Sequence, residues 1–551
     1  MKTTLLMPNA ARKLSLLILY LAMLACALPT GAQVGPQKGE IGSRNRDERM
    51  EWYRDQGFGM FIHWGVDSQL GVVISHSLVG ASDDYTNRFF HYLPKTFNPT
   101  RFDAGEWARL AKIAGVRYVM FTTKHHSGFT MYHTKTTPFS IENTPFKRDI
   151  TGEVFDAFRA QDIAPGVYFS PDDFWWLHEH NIPIKRLVPE VQPSNNPGLL
   201  AYDRAQLTEL LTHYGKIDLA YFDGEADNLR ELAWDINPDI VVTRGVLETP
   251  ELTVPSSVLV NPWETSMTMG TAWQYQPDNE VYKSGKELIR LLYQTRAKGG
   301  NMLLNIGPKP NGELAIEQEN RLREMGLWMF VNSECIYGVR PWVVMNEGNV
   351  WFTQKKNQGP LYAIIDADQI WDRGTWKEFV LHSVHATANT TISVLGQDDK
   401  TVEYAKVVPK STFTQQADGL HIRVMRAQRL QDNSKWPNPL VVKLTDVKPS
   451  LVPPRVITAR ATVKDGVITF SGEVFDMGDA KSLGAGFEFR PITNEDLHAR
   501  STEFQPTELK TVTAKGPYTI EVRGLPAGTY EFHAIARHPL MTLYGTDKIV
   551  R

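Results

Sequence analysis

Cysteine is scarce in this 551-residue chain, which contains only Cys26 and Cys335. Cys26 lies in an apolar stretch, residues 14–28, that follows basic residues and precedes three small residues ending at Ala32. This order is typical of a secretory leader, so we predict a signal peptide over residues 1–32, cleavage after Ala32, and export to the periplasm, the cell surface or the medium. The residues before Cys26 form a poor lipobox, which favours simple cleavage over lipid anchoring. Removal of the leader leaves Cys335 alone and excludes an intramolecular disulfide.

The chain also lacks an excess of charge of either sign and a second long apolar run. Its formal net charge is −3, and its 59 Lys and Arg are mixed with 62 Asp and Glu. This balance argues against a nucleic-acid surface or a polybasic membrane patch. No other stretch approaches the roughly 18 apolar residues that span a bilayer, so we predict no integral membrane span after cleavage. The length exceeds one core and predicts two or three domains.

Short apolar runs alternate with longer amphipathic stretches between residues 45 and 340. The alternation is typical of β-α units, and the absence of a Gly-x-Gly-x-x-Gly turn after the first strand argues against a dinucleotide-binding sheet. We predict an α/β fold, a (β/α)8-like TIM barrel of regular or irregular form whose eighth strand is short or missing. The predicted strands are 58–62, 116–122, 166–169, 217–222, 240–242, 258–260 and 302–306.

Polar residues follow most of the predicted strands. Because the carboxyl ends of barrel strands meet at one face, we expect these side chains to line one cavity. Asp223 follows strand 217–222 and Glu264 follows strand 258–260, so the two acids are positioned to act on one bond, as paired carboxylates do in glycosidases. In chain order the set is His63, Trp64, Lys124, His125, His126, Asp172, Asp173, Asp223, Arg244 and Glu264.

Four ordered segments carry a family resemblance. They are 58–65 (FGMFIHWG), 124–129 (KHHSGF), 221–224 (YFDG) and 298–308 (KGGNMLLNIGP), and they resemble the signatures of glycoside hydrolase family 29, the α-L-fucosidases. The resemblance implies an exo-acting, retaining hydrolase that releases terminal α-L-fucose through a covalent glycosyl-enzyme. It also implies a fucosylated oligosaccharide or glycoconjugate as the substrate, and a β-sandwich after the barrel.

Residue roles follow from the same resemblance. Asp223 matches the family's nucleophile, and Glu264 in Trp-Glu-Thr-Ser resembles the acid/base position of one branch. A cation such as Arg244 would lower the pKa of Asp223, and Trp263 would raise the pKa of Glu264 by desolvation. Rival acids for the second role are Glu225, Asp172 and Asp173.

The histidines allow a different interpretation, a metal-dependent hydrolase. His63, His125, His126 and an aspartate are common metal ligands. Neighbouring residues on one strand point to opposite faces, however, and no His-x-x-x-His pair accompanies them, so we predict no metal and no cofactor. We expect the imidazoles and Arg244 to bind sugar hydroxyls. Tyr168 and Trp273 are expected to form apolar walls of the site, with core packing as the alternative.

Departures from the family pattern leave the sugar open. Ser127 stands where the common pattern has aspartate, and the usual Glu-Trp pair after the first strand is replaced by Asp83-Asp84-Tyr85 or lies elsewhere. That pair helps to bind the sugar hydroxyls, so an α-L-galactosidase or a hydrolase of another fucose-like sugar remains an alternative. A catalytically weak carbohydrate-binding barrel is a further alternative.

After the barrel, short alternating strands predict two antiparallel modules. We predict a β-sandwich over residues 341–448, a stiff proline-containing linker, and a fibronectin type III-like sandwich over residues 455–551. We expect the last module to act as a spacer, with glycan binding and packing on the barrel as alternatives. The oligomeric state is not legible from the sequence.

Overall fold

The computed structural model describes residues 42–186, 188–366, 371–402, 408–431, 436–492 and 503–551. The predicted signal peptide, its cleavage after Ala32 and Cys26 lie outside the described residues. Within them, no helix is long and apolar enough to cross a bilayer.

A curled parallel sheet occupies the first half of the described chain. It comprises β1 (Phe58–Ile62), β2 (Tyr118–Lys124), β3 (Ala164–Phe169), β4 (Leu219–Phe222), β5 (Val241–Val242), β6 (Glu264–Thr268) and β7 (Asn301–Ile306). The strands hydrogen-bond in the order β5-β4-β3-β2-β1-β7-β6, and all the pairs are parallel. This sheet and its helices confirm the predicted barrel-like α/β fold.

Helices flank the sheet, and the first of them places Tyr53 in the apolar cluster inside the barrel. They are α1 (Asp47–Gln56), α2 (Asp83–Thr96), α3 (Ala104–Ala114), α4 (Ile150–Arg159), α5 (Phe174–Glu179), α6 (Pro197–His213), α7 (Asp227–Ile236), α8 (Gly285–Ala297) and α9 (Ile316–Asn332). Local sequence sets their ends: Asp103 caps α3, Gly115 ends it at φ 88°, and Ser284 with Glu287 forms a capping box on α8.

The sheet is buried on both faces because side chains alternate along each strand. Phe61, Met120 and Leu219 belong to a cluster that fills the barrel interior. Their chain neighbours Ile62 and Phe121 pack instead in the larger cluster that includes the helices. This alternation decides which of two adjacent residues can reach a site at the mouth of the barrel.

The predicted sixth strand is wrong. Residues 258–260 have no regular structure, and Val260 is 89% exposed. The strand is β6, which begins at Glu264, and Glu264 is paired with Asn301, the first residue of β7. Glu264 therefore lies at the amino end of its strand, whereas Asp223 follows the carboxyl end of β4.

An irregular segment lies beside β6 and supplements the sheet. Parallel bridges join Glu248 to Trp263 and Glu251 to Ser266. Backbone bonds accompany them: Glu264 N–H donates to Glu248 O at 3.0 Å, and Leu252 N–H donates to Ser266 O at 2.8 Å. Residues 247–252, which we call the eighth segment, thus run alongside β6 without forming a regular strand.

Antiparallel sheets follow, as predicted for the fold class. The first group is β8 (Val339–Glu347), β9 (Val350–Lys355), β10 (Leu361–Ile365), β11 (Trp376–Leu381), β12 (Val384–Val394), β13 (Thr412–Gln416), β14 (Gly419–Met425) and β15 (Leu440–Pro449). The second is β16 (Arg455–Lys464), β17 (Val467–Asp476), β18 (Leu483–Ile492), β19 (Gln505–Pro506), β20 (Lys510–Val512), β21 (Gly516–Arg523), β22 (Thr529–His538), β23 (Met541–Tyr544) and β24 (Lys548–Val550). Each group encloses its own apolar cluster, and Met541 of the second packs into the cluster of the first. The domain limits named above stay predictions.

Candidate active site

Asp223 is the centre of a polar cluster at the carboxyl end of β4. Its backbone N–H donates to Phe169 O at 3.1 Å, which extends the β3–β4 pairing by one residue. The next residue, Gly224, has φ 146°, a conformation that favours glycine and turns the chain away. The Asp223 carboxylate is one-fifth exposed, so a ligand can reach it.

Three groups hold the Asp223 carboxylate. The Tyr168 hydroxyl donates to Oδ2 at 2.7 Å, Arg244 Nη2 lies 3.3 Å from Oδ1, and His126 Nε2 lies 3.3 Å from Oδ2. Burial alone would raise the pKa of Asp223, but Arg244 and His126 outweigh it and hold that pKa well below its ordinary value. The group is therefore ionised, as a nucleophile or an ion-pairing carboxylate must be.

His63 and His125 border the same cluster as neutral rings. His63 Nδ1 bonds Asn305 Oδ1 at 2.7 Å, and His125 Nδ1 bonds Ser75 Oγ at 2.8 Å. Burial lowers the pKa of His63 to about 4 and that of His125 well below its ordinary value. With Nδ1 occupied, each ring keeps Nε2 available to a ligand hydroxyl.

His126 behaves differently because it lies between two carboxylates. Its Nδ1 is 2.5 Å from Asp172 Oδ1, and Asp172 also accepts from Arg186 Nε at 3.1 Å. Burial would lower the pKa of His126, but Asp172 and Asp223 reverse the effect and raise it. The result is a charged chain, Arg186–Asp172–His126–Asp223, that fixes the nucleophile candidate.

Glu251, on the eighth segment, is the second acid of the cluster. Its Oε1 accepts from Arg244 Nη1 and lies 3.4 Å from the Tyr221 hydroxyl, and its side chain is 17% exposed. Arg244 thus bridges Glu251 and Asp223 with its two terminal nitrogens. Asp223 and Glu251 therefore meet at one guanidinium, which makes them candidates for the paired acids of a retaining glycosidase.

Glu264, the acid predicted for that place, is not there. It is fully buried, and it accepts a hydrogen bond from the hydroxyl of Tyr118, the first residue of β2. Burial raises its pKa to about 7, although the Tyr118 bond opposes this. The prediction failed because the strand starts, rather than ends, at this residue. The opposite ends of parallel strands cannot share one cavity.

Trp64 is a second correction. It is 1% exposed, its Nε1 donates to Lys309 O at 3.1 Å, and it packs edge-on against Trp107 in the helix-facing core. His63 takes the inward direction, so its neighbour must point outward. Lys124 is also outside the cavity, paired with Asp173 and Asp203 at 3.1 and 2.8 Å and completely buried.

The rival acids have structural partners elsewhere. Glu225 accepts from the backbone N–H groups of Ser194 and Asp227. Asp173 caps α5 through Trp176 N–H and pairs with Lys124. Asp172 is bound to His126 and Arg186, so it positions the ring that contacts Asp223 rather than serving as the second acid.

Trp273 and Tyr168 lie beside the site histidines, and Tyr168, which is 1% exposed, also belongs to the apolar cluster inside the barrel. The Trp273 ring lies 5.1 Å from the His63 ring, centroid to centroid, and the Tyr168 ring stacks on His125 at 5.4 Å. Tyr168 is also a hydrogen-bond donor to Asp223, a role the sequence did not suggest.

Ser75 and His76 belong to the site and were missed. His76 lies 5.4 Å from the His126 ring and 6.0 Å from the His125 ring. Burial, with help from His126, lowers its pKa to about 3. In this turn Ser75 has φ 58°, and its backbone N–H donates to Asp67 Oδ2 at 2.6 Å. The only sequence signal for them was a polar Ser-His pair between two apolar runs. Asp83 and Asp84, which were named from the sequence in place of the usual Glu-Trp pair, are exposed on α2.

Three residues of the cluster also have the ligand atoms and spacing of a candidate metal site. Ligand atoms of His125, His126 and Asp223 all lie within 4.8 Å of one another. His125 and His126 do not point to opposite faces as predicted, because the chain leaves β2 at Lys124 after a register shift. His126 is already bonded to Asp172 and charged, however, which favours hydrogen bonding to Asp223 over metal ligation.

Comparisons with known proteins agree with this chemistry. A sequence model of the family described as α-L-fucosidase matches residues 27–334. A putative α-L-fucosidase of Caenorhabditis elegans is 31% identical over 405 residues, 63% of this chain and 82% of the worm protein. The structure of α-L-fucosidase isoenzyme 1 from Paenibacillus thiaminolyticus superposes with a TM-score of 0.60 at 28% identity, covering 73% of this chain and 99% of the bacterial one.

A further solved structure is an α-L-fucosidase from Bacteroides thetaiotaomicron, trapped as a covalent intermediate with 2-fluoro-fucosyl fluoride. Its TM-score is 0.59 at 22% identity, and the match covers 76% of this chain and 99% of the other. At this identity the likeness shows the shared fold.

Proposed function

The chain belongs to the α-L-fucosidase family of glycoside hydrolases, and we propose that it is an exo-acting, retaining enzyme with Asp223 as nucleophile and Glu251 as acid/base. The single observation that carries the assignment is Arg244, whose two terminal nitrogens contact the two carboxylates. The substrate class is a fucosylated oligosaccharide or glycoconjugate with a terminal α-L-fucose.

In the first step, an Asp223 oxygen attacks the anomeric carbon while Glu251, protonated and released from its ion pair with Arg244, gives its proton to the departing glycosidic oxygen. The products are a fucosyl ester of Asp223 and the free aglycone alcohol. In the second step, the Glu251 carboxylate takes a proton from water, the water oxygen attacks the anomeric carbon, and Asp223 leaves as a carboxylate. Two inversions give net retention.

The surrounding groups support these steps. Arg244, His126 and the Tyr168 hydroxyl stabilise the Asp223 carboxylate before attack and when it is released. Neutral His63 and His125 offer Nε2 to sugar hydroxyls, and Trp273 offers an apolar face to the methyl group of a deoxy sugar.

The two acids have different kinetic signatures. Asp223→Ala should lose almost all activity on aryl α-L-fucosides, by roughly a thousandfold or more, and azide should restore turnover by replacing the nucleophile. Glu251→Gln should retain substantial activity on fucosides with acidic phenol leaving groups and lose roughly a hundredfold or more on fucosides with alcohol leaving groups, which need the proton.

Glu264→Gln is the matched control, since Glu264 is a buried carboxyl at the other end of the strands. Its activity should depend on the leaving group as the wild type's does. If Glu264→Gln shows the leaving-group dependence and Glu251→Gln does not, the assignment of Glu251 is wrong. NMR of the first-formed sugar anomer tests retention independently.

A second candidate substrate is an α-L-galactoside, which adds a hydroxyl to the methyl group of fucose. The observation in its favour is His76, a neutral ring beside His125 and His126 that adds a further hydrogen-bonding group to the site. Aryl α-L-fucoside and aryl α-L-galactoside compared by kcat/KM decide between the sugars. A protein that binds both without turnover would be a carbohydrate-binding barrel.

We propose, further, that the chain is exported to the periplasm, the cell surface or the medium. Support comes from the leader-like residues 1–32 and from a sequence that leaves a single cysteine after cleavage at Ala32. Mass spectrometry of the mature N-terminus and cell fractionation test this. An unprocessed cytoplasmic protein would overturn it.

A further inference from the structure

Few hydrogen bonds fix the stretch of chain that follows Glu251. Residues 253–262 have no regular secondary structure, and Val260 within them is 89% exposed. Two bonds tie this stretch to the barrel: Thr265 Oγ1 donates to Thr253 O at 2.6 Å, and Leu259 N–H donates to Lys298 O at 3.4 Å. The eighth segment, which carries Glu251, bonds to β6 along one side.

A third restraint comes from the other end of the chain. The backbone N–H of Ser256 donates to Asp547 Oδ2 at 2.8 Å, a contact between residues 291 positions apart. Asp547 lies in the turn between β23 and β24 of the last module. The last module therefore touches the stretch that begins two residues after the proposed acid/base.

The Asp547 carboxylate is held in place by a buried ion-pair network. His533 is 1% exposed, with Nδ1 2.9 Å from Asp547 Oδ1 and Nε2 3.3 Å from Glu488 Oε2. Burial would lower the pKa of His533, but the two carboxylates outweigh it and raise that pKa, so the ring is charged. Lys298, which shortly precedes β7, is also buried, and its ammonium group is attracted to the Asp547 carboxylate.

The same module is also fixed by apolar contacts with the first sandwich. Met541, on β23, is buried in the apolar cluster of the first sandwich, and Leu543 contacts the clusters of both sandwiches. Met541 and Asp547 are six residues apart in the sequence, so the docking contact and the Ser256 contact lie on neighbouring parts of one edge. A carboxylate anchored in this way is a rigid acceptor.

We propose that the last module is a brace for the catalytic acid: Asp547, oriented by His533, is a positioning residue that holds the 253–262 stretch and thereby the eighth segment with Glu251. This inference rests on the proposed role of Glu251. It replaces the expected spacer role with a part in the reaction, since a displaced acid transfers its proton poorly to the leaving oxygen.

The test uses the full chain with three substitutions. Asp547→Ala removes the acceptor of Ser256 N–H, and Asp547→Asn keeps an acceptor oxygen but loses the charge pair with His533. Phe470→Leu is the matched control, because Phe470 is buried in the core of the same module and touches Phe487 and Phe532 rather than the barrel. Melting temperatures show how far each change loosens the module.

The readout is kcat/KM on two aryl or alkyl α-L-fucosides with leaving groups of different acidity. Asp547→Ala should lose roughly tenfold on the poor leaving group and less than about twofold on the good one. Asp547→Asn should fall between Asp547→Ala and the wild type. Phe470→Leu should lower the melting temperature and leave the ratio of the two activities unchanged.

Hydrogen exchange of peptides covering residues 252–262 gives a second readout that does not depend on catalysis. Protection should fall in Asp547→Ala and not in Phe470→Leu. Equal exchange and an equal activity ratio in the two variants would overturn the brace. If Glu251→Gln itself shows no dependence on the leaving group, the acid assignment fails, and the exchange experiment still decides whether Asp547 holds the stretch.

Discussion

Four histidines surround Asp223, and their partners decide which of them carries charge. His126 lies between Asp172 and Asp223, and its pKa is raised, whereas burial lowers the pKa of His63, His76 and His125. A cavity with one cationic ring and three neutral rings can stabilise the nucleophile and still offer uncharged donors and acceptors to hydroxyls. Residue type alone does not distinguish these roles.

His76 is expected to bind the substrate. No described residue forms a hydrogen bond with its ring nitrogens, and the ring lies beside those of His125 and His126. His76→Ala should lower kcat/KM on an aryl α-L-fucoside by roughly five- to tenfold, the worth of one neutral hydrogen bond. His213→Ala, on the exposed last turn of α6, is the control and should have no effect. A change of less than twofold in His76→Ala would remove His76 from the site.

Glu264 is expected to control stability rather than catalysis. Burial raises its pKa from 4.5 to about 7. Between these two pH values the folded protein therefore keeps a proton that the unfolded chain releases. Its contribution to stability is therefore fully present below about pH 4.5 and is lost as the pH rises through 7. Glu264→Gln, which stays neutral, should be more stable than the wild type at pH 8, by at most about 3 kcal/mol, and similar to it at pH 4.5.

Urea unfolding at the two pH values measures this difference. A Glu264→Gln variant whose stability follows the same pH dependence as the wild type would show that the group is not buried in its neutral form.

Among the elements, β1 lies between β2 and β7 and delivers His63 to the cavity. Gly59 of β1 is paired with Tyr118 of β2, and a Cβ at Gly59 would lie 2.3 Å from the Tyr118 ring. The ring needs this space because its hydroxyl reaches Glu264. A close ring-on-glycine contact thus fixes both the strand pairing and the bottom of the barrel.

Gly59→Ala is therefore expected to destabilise the protein by about 1–3 kcal/mol, the usual effect of overpacking a tight core. The control is Gly528→Ala, where a Cβ meets nothing within 4 Å. Free energies of unfolding from urea titration compare the two. Equal stability would mean that the Tyr118 ring can move aside.

The position of Glu251 also depends on an element that is not a regular strand. Its backbone follows β6 through isolated bridges, and its side chain is fixed by Arg244 from the other side. Such a segment has too little regular pairing to be recognised from periodicity. The proposed catalytic pair therefore comes from one regular strand, β4, and one irregular segment.

Across the whole molecule, the barrel and the first sandwich are joined by buried charge. Asp366 follows β10 and is 6% exposed; its Oδ2 accepts from the Tyr293 hydroxyl at 2.7 Å and from Arg290 Nε at 2.8 Å, both on α8. These bonds cross from sandwich to helix. We therefore expect the two parts to unfold together.

Asp366→Ala should cost about 1–3 kcal/mol, because it leaves the buried Tyr293 hydroxyl without its acceptor, whereas the Arg290 side chain is 44% exposed and can be hydrated instead. The control is Asp239→Ala, which removes an ion pair with Arg46 in which both side chains are 55% exposed and should cost about 1 kcal/mol or less. Chemical denaturation followed by fluorescence and circular dichroism measures both. A loss no larger than the control's would show that the interface does not depend on this charge.

Periodicity and strand-end polarity were sufficient to predict the barrel, the position of Asp223, and the presence of His63, His125, His126 and Arg244 near one another. These predictions depend on local features: an apolar run, the residue at its end, and the common face of parallel strands. Trp64 failed because alternation gives adjacent residues opposite directions, and its neighbour His63 already points inward.

The choice of the second acid could not be made from the chain alone. Residues 258–260 are apolar enough for a strand, but a strand needs a partner, and the partner β7 pairs with Glu264–Thr268 instead. That shift moves Glu264 to the closed end of the barrel and leaves Glu251 beside Arg244. Sequence thus determined the scaffold and the nucleophile candidate, because both follow from short-range pattern. The candidate acid and its proposed brace by Asp547 emerge only from the tertiary structure, because register and contacts between distant segments are properties of the folded chain.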